Sequence, residues 1–260
     1  MNDHELASDL ALQAGGALLE LRDRIGDGAY DPARLRAQAD RAAQSVLAAA
    51  LARHAPGDAV LSEEAADDRS RLSRDRVWII DPLDGTREYS TRTDGAWRDD
   101  WAVHVALWTR GGGLTAGAVA EPARERLFST ACDPVARLAP KTPLRIAVSR
   151  SHPSDFVRAV LGELDAIPVA MGSAGVKAMA VVDGTVDAYV HAGGQYQWDS
   201  AAPVAVARHC GMFTSRIDGA PIEYNREDLS VPDLIVCHPD IQESVQAAVA
   251  RTLNGKGKLP

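Results

Sequence analysis

The chain reads Val77-Trp78-Ile79-Ile80-Asp81-Pro82-Leu83-Asp84-Gly85-Thr86 where a short apolar run meets two aspartates. The run of four apolar residues predicts a buried strand, and the glycine and threonine predict a turn that opens a helix. Proline stiffens the turn between the aspartates, so both carboxylates and the Leu83 carbonyl can face one point. The free N–H groups that begin at Gly85 and Thr86 could bind a phosphate. Together these features predict a phosphoryl site.

Two further acidic segments follow the same logic. Ser62-Glu63-Glu64 comes directly after a predicted strand, Ala59–Leu61, and Trp198-Asp199-Ser200 opens an apolar helix. Carboxylates at the carboxyl ends of strands lie where sites in α/β proteins usually form. Oxygen ligands from several segments suit Mg²⁺ better than zinc. A capped turn at a strand–helix junction is the alternative interpretation, because acidic-Gly-Thr strings are also common there.

The hydrophobic pattern around these motifs predicts an α/β protein of two parts. The first part, residues 1–140, has two long helices and a hairpin around Gly111–Gly113. The first helix is predicted to begin at a cap formed by Asn2 or Asp3 and to end near Arg24, and the second to begin at Asp31-Pro32 and to end before Pro56. The second part, residues 141–260, alternates strands and helices after a proline-rich connector, Asp133–Pro143. Its predicted strands are 144–148, 167–170, 186–190 and 234–237, and its predicted helices are 153–161, 174–182, 200–209 and 241–253.

Composition narrows the function classes. The 260 residues carry a net charge of −8 with 5% aromatic residues, which disfavours binding to nucleic acid. No apolar run is long enough to cross a membrane, and the acidic N-terminus lacks a signal-peptide core. The three cysteines show no zinc-ligand spacing. We therefore expect a cytoplasmic protein with reduced thiols.

Three ordered motifs resemble those of the inositol monophosphatase superfamily. They are Leu61–Glu64, Trp78–Thr86 and Trp198–Ala202. This resemblance implies a layered α+β fold, the αβαβα sandwich also found in fructose-1,6-bisphosphatases, with the site between its two halves. It further implies a hydrolase that uses two or three Mg²⁺ ions and is inhibited by Li⁺, and that forms a homodimer.

The resemblance also implies roles for individual residues. Four carboxylates and one carbonyl would hold two Mg²⁺ ions: Glu63, Asp81, Asp84, Asp199 and the carbonyl of Leu83. Asp40 on the second helix would complete a third metal site, and it would work with Thr86 to activate the attacking water. The chain departs from the family at this helix, because Leu35–Asp40 lacks the usual Thr-x-Ala-Asp string and no lysine precedes it. An exposed helix residue is the alternative interpretation of Asp40.

Three other segments are similar to those of CysQ-type phosphatases, which act on 3′-phosphoadenosine 5′-phosphate (PAP). They are Arg87-Glu88-Tyr89, Ser149–His152 and Gly172–Lys177. This similarity implies hydrolysis of PAP to AMP and phosphate, with 3′-phosphoadenylyl sulfate (PAPS) as a possible second substrate, in sulfate assimilation. The second phosphate needs cationic and hydrogen-bonding partners, for which the candidates are Arg150, His152, Ser173 and Lys177.

A structural or surface role with no part in function is the alternative interpretation for several of these residues. Lys177 could be an exposed residue of a first helical turn, and His152 a simple loop histidine. The other histidines, including His104, show no metal spacing and are expected to be packed or exposed. Two alternative functions also remain: an inositol monophosphatase or fructose-1,6-bisphosphatase of the same superfamily, and an inactive metal-binding scaffold.

Overall fold

A computed structural model of the chain describes residues 1–134, 136, 138–151 and 154–256. The described helices are α1 Asp3–Ile25, α2 Pro32–His54, α3 Thr86–Tyr89, α4 Asp155–Leu164, α5 Ala174–Val182, α6 Gln197–His209 and α7 Gln242–Lys256. The strands are β1 Ala59–Ser62, β2 Arg76–Asp84, β3 Arg92–Thr93, β4 Ala96–Trp97, β5 Ala102–Thr109, β6 Gly113–Glu121, β7 Arg126–Ser129, β8 Arg145–Ser149, β9 Ile167–Met171, β10 Ala188–Ala192, β11 Phe213–Ser215 and β12 Asp233–Cys237. Short 3₁₀ turns lie at Arg69–Ser73, Pro122–Arg124 and Pro239–Ile241.

The two long N-terminal helices begin at side-chain caps. Asn2 and Glu5 form a capping box at the start of α1, which satisfies two otherwise free backbone N–H groups. Asp31 caps α2 and accepts a hydrogen bond from the Ala33 N–H at 2.9 Å, while Pro32 occupies the first helical position. The sequence therefore specifies both helix starts locally, as predicted.

The first sheet has the strand order β1-β2-β5-β6-β7. β1 runs parallel to β2, and the other neighbours are antiparallel. Alternate residues of β2 face opposite sides: Trp78 and Ile80 pack with α1 and α2, whereas Val77 and Ile79 pack with residues of α5 and α6. Because both faces are covered, the strand is a continuous apolar run.

The second sheet has the order β11-β12-β10-β8-β9. β8, β9 and β10 are parallel, and β12 is antiparallel to both of its neighbours. One face packs against α5 and the other against α4 and α7, as the residues of its two hydrophobic clusters indicate. The helices α5 and α6 contact each other, and α6 also contacts β2, β5 and β6 of the first sheet.

The layers therefore alternate as α1–α2, first sheet, α5–α6, second sheet and α4–α7. This arrangement confirms the predicted αβαβα sandwich. The predicted hairpin around Gly111–Gly113 is formed by β5 and β6. Among the described residues, no helix combines the length and the apolar character needed to cross a membrane.

Three local features differ from the sequence prediction. The strand that was predicted to end at Ile80 continues through the acidic motif to Asp84. The helix expected from Ser200 already begins at Gln197, so Asp199 lies inside its first turn. The short strands β3, β4 and β11 were not predicted, because two or three residues are too few for a recognisable alternation.

Candidate functional site

A β-bulge sets the direction of the two aspartates on β2. Asp81 pairs with His104 of β5 and Asp84 pairs with Ala102, so β2 has one more residue than β5 between these pairs. In a regular strand, residues three apart point to opposite faces. The extra residue turns Asp84 to the side of Asp81, as bulges commonly do beside active sites. The two carboxylates therefore face one point, as predicted, but a β-bulge and not a stiffened turn brings them there.

Glu63 reaches the same place from the neighbouring strand. Its N–H donates to the Ile80 carbonyl at 3.4 Å, which extends the parallel pairing of β1 with β2 beyond Ser62. This pairing places Glu63 beside Asp81, close enough for the two carboxyl groups to affect each other's pKa. Burial, Asp199 and Asp84 raise the pKa of Glu63 to about 7, although the contact with Asp81 opposes this change.

Asp199 approaches from the start of α6. Its Oδ2 accepts the backbone N–H of Tyr196 at 2.7 Å, so the carboxylate also helps to cap the helix. Carboxylate oxygens of Asp81, Asp84 and Asp199 all lie within 4.8 Å of one another. Three separate elements, β2, β1 and α6, therefore bring the four predicted carboxylates together.

The chemistry of this cluster fits a divalent cation. Burial and the charges of Glu63, Asp84 and Asp199 raise the pKa of Asp81 well above its ordinary value. Burial and the charge of Asp84 also raise the pKa of Asp199 to about 6. Oδ2 of Asp81 is buried and has no hydrogen-bond donor within the described part of the chain. A cation would supply the missing partner and remove the repulsion among the carboxylates.

Each of the three aspartates has one oxygen held by a protein donor. Asp81 Oδ1 accepts the Leu83 N–H at 3.0 Å, Asp199 Oδ2 accepts the Tyr196 N–H, and Asp84 Oδ2 accepts the Gly175 N–H at 2.8 Å. Over the described residues, the second oxygen of each carboxylate accepts no hydrogen bond. These three oxygens are therefore available to a metal ion, and backbone N–H groups hold the other oxygen of each carboxylate.

Asp84 differs from the other carboxylates in its charge. Burial acts to raise its pKa, but His104, Lys177 and Ser173 outweigh burial and lower it to about 2. His104 Nε2 lies 3.2 Å from Asp84 Oδ2, and His104 Nδ1 lies 4.0 Å from Asp81 Oδ2. Gly175 makes this contact possible, because a Cβ there would lie 2.0 Å from His104 Nε2.

Thr86 and Gly85 lie at the end of β2. Gly85 adopts a left-handed backbone conformation with φ of +89°, and it has space for no side chain between Ser173 and Trp101. Thr86 Oγ1 donates to the Leu83 carbonyl at 3.2 Å. The helix that follows, α3, has a single turn, so it offers fewer aligned N–H groups than a long helix.

Asp40 lies on the face of α2 that meets the segment after β1. One turn further along this face, Gln44 accepts a hydrogen bond from the Ser62 hydroxyl at 2.7 Å. Burial and the charge of Glu64 raise the pKa of Asp40 to about 6. α2 also contacts α3, the turn that begins at Thr86. Asp40 is half-buried and lies outside the tight group of three aspartates.

The residues predicted to contact substrate have several different environments. Arg150 forms an ion pair with buried Asp100 at 2.6 Å and lies 3.7 Å from Glu88. Lys177 is buried, and its Nζ donates to the carbonyls of Gly172 at 2.6 Å and Ser173 at 2.7 Å. Lys177 is therefore not an exposed residue of a first helical turn, which was the alternative interpretation. His152 falls outside the described residues.

A cavity of about 410 Å³ lies around Arg216 and Arg226, and its lining includes no residue of the acidic cluster. A smaller cavity of about 210 Å³ lies beside Lys177, lined by Ser149, Ser154, Tyr189 and His191 among others. Lys177 Nζ is 5.3 Å from the Tyr189 ring centroid on this side, and its charge lowers the pKa of both Asp84 and Asp199 on the other side. Lys177 therefore links the acidic cluster to Tyr189, a residue that lines the smaller cavity.

Sequence reasoning missed two histidines. His104 is packed, as expected, but it also contacts the acidic cluster, and its alignment opposite Asp81 depends on strand pairing that local sequence does not reveal. His191 Nε2 is buried without a hydrogen-bond partner in the described structure, and burial and Lys177 lower the pKa of His191 to about 4. A histidine at the end of an apolar strand was the only available signal.

Comparisons with known proteins agree with this geometry. The model of the inositol monophosphatase family matches residues 4–255. A 3′-phosphoadenosine 5′-phosphate phosphatase of Mycobacterium leprae is 50% identical over 253 residues, which cover 93% of this chain and 91% of the relative. The 3′(2′),5′-bisphosphate nucleotidase CysQ of Haemophilus influenzae is 31% identical over 201 residues, which cover 70% of this chain and 72% of the relative. The crystal structure of CysQ from Bacteroides thetaiotaomicron has a TM-score of 0.74 at 28% identity, covering 91% of this chain and 97% of that chain.

Proposed function

Because the chain belongs to the inositol monophosphatase family, we propose that it is a Mg²⁺-dependent phosphatase that hydrolyses PAP to AMP and phosphate. One observation carries the proposal: carboxylate oxygens of Asp81, Asp84 and Asp199 lie within 4.8 Å of one another in a chain half identical to a PAP phosphatase. An inactive scaffold would not need this cluster together with Glu63 and Thr86, because burying several carboxylates side by side destabilises the fold.

The acidic cluster would hold two Mg²⁺ ions, with a third beside Asp40. Glu63, Asp81, Asp84, Asp199 and the Leu83 carbonyl are the proposed ligands. Bound Mg²⁺ would lower the pKa of the attacking water and neutralise charge on the phosphate and on the leaving oxygen. Burial and mutual repulsion together raise the pKa of Glu63 to about 7 and of Asp199 to about 6, and a bound cation would offset both effects, which supports this assignment.

Thr86 and Asp40 are the proposed catalytic residues. The only hydroxyl proton of Thr86 is directed to the Leu83 carbonyl, so its oxygen remains able to accept a hydrogen bond from water. Asp40 would then take the proton, and a carboxylate with a pKa of about 6 suits a base near neutral pH. As the water oxygen bonds to phosphorus, the bond to the 3′-oxygen breaks, and this oxygen takes a proton from solvent water while Asp40 later returns its proton to solvent. The backbone N–H groups at Gly85 and Thr86 would orient the phosphate.

The 5′-phosphate would bind in the cavity beside Lys177. The buried charge of Lys177, the unpartnered Nε2 of His191 and the hydroxyl of Ser149 surround or adjoin this cavity, and these groups suit an anion. Arg150 and His152 belong to the same sequence segment as Ser149, and we propose that they also contact the 5′-phosphate. An inositol phosphate has no group that would fill this cavity.

The wider role follows from the substrate. We propose that the enzyme removes PAP formed in sulfate assimilation, that it can also accept PAPS, and that Li⁺ inhibits it. Cys132 and Cys237 are free thiols, which suits a reducing, cytoplasmic environment. A homodimer is proposed from the family alone, and light scattering would test it.

Product analysis tests the proposed reaction. Purified protein with PAP and Mg²⁺ should release one phosphate and leave AMP, whereas EDTA should stop the release. Adenosine 3′-phosphate as the product would show that the enzyme attacks the other phosphate. No reaction with PAP, combined with rapid hydrolysis of inositol 1-phosphate or fructose 1,6-bisphosphate, would favour the alternative functions within the superfamily.

A further inference from the structure

The hydroxyl of Ser173 is already fully used within the protein. Its Oγ donates to Asp84 Oδ2 in a short hydrogen bond, and the same oxygen accepts the Val176 N–H at 3.1 Å as the cap of α5. A serine hydroxyl has a single proton to donate. Ser173 therefore cannot donate to a substrate without releasing Asp84.

The turn that carries Ser173 is held in an unfavourable conformation. Ser173 has a φ of +27°, which non-glycine residues rarely adopt. Contacts on two sides keep it there: Lys177 Nζ donates to the carbonyls of Gly172 and Ser173, and the Gly172 N–H donates to Asp100 Oδ2 at 2.6 Å. Strained residues persist where the surroundings over-determine them, and they cluster at functional sites.

The turn at Ser173 holds the carboxylate of Asp84 in one orientation. Asp84 Oδ2 accepts hydrogen bonds from Ser173 Oγ and from the Gly175 N–H, and it lies 3.2 Å from His104 Nε2. These contacts occupy Oδ2, so Oδ1 is the oxygen of Asp84 that remains available to a metal ion. We propose that Ser173 is a positioning residue that holds Asp84 as a one-oxygen metal ligand, and not a substrate-binding residue. This inference rests on the metal site of the proposed function, although it does not depend on the identity of the substrate.

Metal binding without substrate tests the inference directly. Titration of Mn²⁺ into the substrate-free protein, followed by calorimetry, would give the dissociation constant for the unaltered chain and for Ser173→Ala. We expect this constant to rise about 10-fold or more, since loss of a partner of a ligand typically weakens metal binding about 10–100-fold. At saturating metal, the KM for PAP should change less than about twofold.

Two further variants separate positioning from a general loss of stability. Ser173→Gly also removes the hydroxyl but relieves the positive φ, so it should weaken Mn²⁺ binding with a smaller loss in Tm than Ser173→Ala. Asn2→Ala removes a comparable helix cap, at the start of α1, and should leave Mn²⁺ binding unchanged. In an Asp84→Asn background, Ser173→Ala should cause little additional loss of Mn²⁺ affinity, because both changes affect the same ligand.

Opposite results would overturn the inference. Unchanged Mn²⁺ affinity in both Ser173 variants, together with a raised KM for PAP, would make Ser173 a substrate-binding residue after all. If Asn2→Ala also weakened Mn²⁺ binding, the effect of the Ser173 variants would reflect a general loss of stability and not the positioning of Asp84. Failure to hydrolyse PAP would contradict the proposed substrate, yet the Mn²⁺ measurements would still decide the role of Ser173.

Discussion

His104 Nε2 lies 3.2 Å from Oδ2 of Asp84, and both side chains are buried. This contact divides the acidic cluster into two kinds of carboxylate. Burial opposes the ionisation of Asp84, but His104, Lys177 and Ser173 outweigh burial and lower its pKa to about 2. Burial and neighbouring carboxylates raise the pKa of Asp81 instead. Asp84 thus keeps its charge without a metal, whereas Asp81 gains its charge most readily when a cation binds.

Replacing Asp81 with asparagine should separate activity from stability. The change removes ligand charge, so Mg²⁺-dependent turnover should fall at least roughly 1,000-fold, since a metal ion contributes several kcal/mol to such reactions. The metal-free protein should retain its fold and become more stable at pH 7.5, because folding no longer has to protonate Asp81 or bury its charge among the other carboxylates.

Phosphate release and thermal unfolding without metal would measure the two effects. Asp27→Asn, an exposed aspartate in the α1–α2 connection, is the matched control and should change neither. Near-normal turnover of Asp81→Asn at ordinary Mg²⁺ concentrations would show that the metal assignment is wrong.

Stability of the metal-free protein should fall as pH rises. Glu63, Asp40 and Asp199 have folded pKa values of about 7, 6 and 6, above their ordinary values. The folded state therefore binds more protons than the unfolded state between about pH 4 and pH 7, so the free energy of unfolding decreases across this range. The low pKa of Asp84 affects stability only below this window.

Denaturant unfolding at pH 5 and pH 7.5 would measure this effect in EDTA. Added Mn²⁺ should stabilise the protein more at pH 7.5 than at pH 5, because its ligands must lose protons to bind it. A metal-free protein that is more stable at pH 7.5 than at pH 5 would contradict the assignment of crowded carboxylates.

Thr86→Ala should lower kcat with little change in KM. The hydroxyl is proposed to orient the attacking water, whereas backbone N–H groups and metal hold the phosphate, and such assistance is worth about 10²–10⁴-fold. Thr86→Ser keeps the hydroxyl and should recover most of the rate. Steady-state kinetics on PAP would decide, and a loss seen only in KM would make Thr86 a binding residue.

The sequence predicted most helices and strands because each carries a local signal, whereas the order of the layers followed from the motif resemblance. The caps at Asn2 and Asp31 and the apolar run at Val77–Ile80 are examples, and all three appear in the structure. The β-bulge at Asp81–Asp84 was not predictable, since it depends on the pairing of β2 with β5. For the same reason, sequence could group the carboxylates through motif resemblance but could not find His104 opposite them.

The environment of Ser173 and Lys177 was likewise beyond sequence. Both lie in a segment that was assigned to substrate by resemblance, but their polar atoms contact Asp84 and two backbone carbonyls. Such contacts join β2 to the start of α5, 89 positions apart for Ser173 and Asp84. No local pattern encodes a contact across this distance, because it forms only when both sheets pack on α5 and α6.

Lys177→Met should reduce activity on PAP more than on inositol 1-phosphate. Methionine keeps most of the side-chain volume but removes the charge beside the cavity proposed for the 5′-phosphate. A charge-assisted hydrogen bond contributes about 1.5–3 kcal/mol, so kcat/KM for PAP should fall about 10–100-fold more than for inositol 1-phosphate.

Both substrates should be measured on the same preparation, with Lys141→Met, an exposed lysine of the connector, as the control. Equal losses on the two substrates would show that Lys177 supports the common site only, through the carbonyls of Gly172 and Ser173.

The preference of the unaltered enzyme tests the central claim most directly. Initial rates of Mg²⁺-dependent phosphate release should be compared on PAP, PAPS, inositol 1-phosphate and fructose 1,6-bisphosphate under one set of conditions. We predict that kcat/KM for PAP exceeds that for inositol 1-phosphate at least roughly 100-fold, which corresponds to about 2.7 kcal/mol. Equal efficiencies on the two substrates would contradict the nucleotidase assignment and identify a broad sugar phosphatase instead.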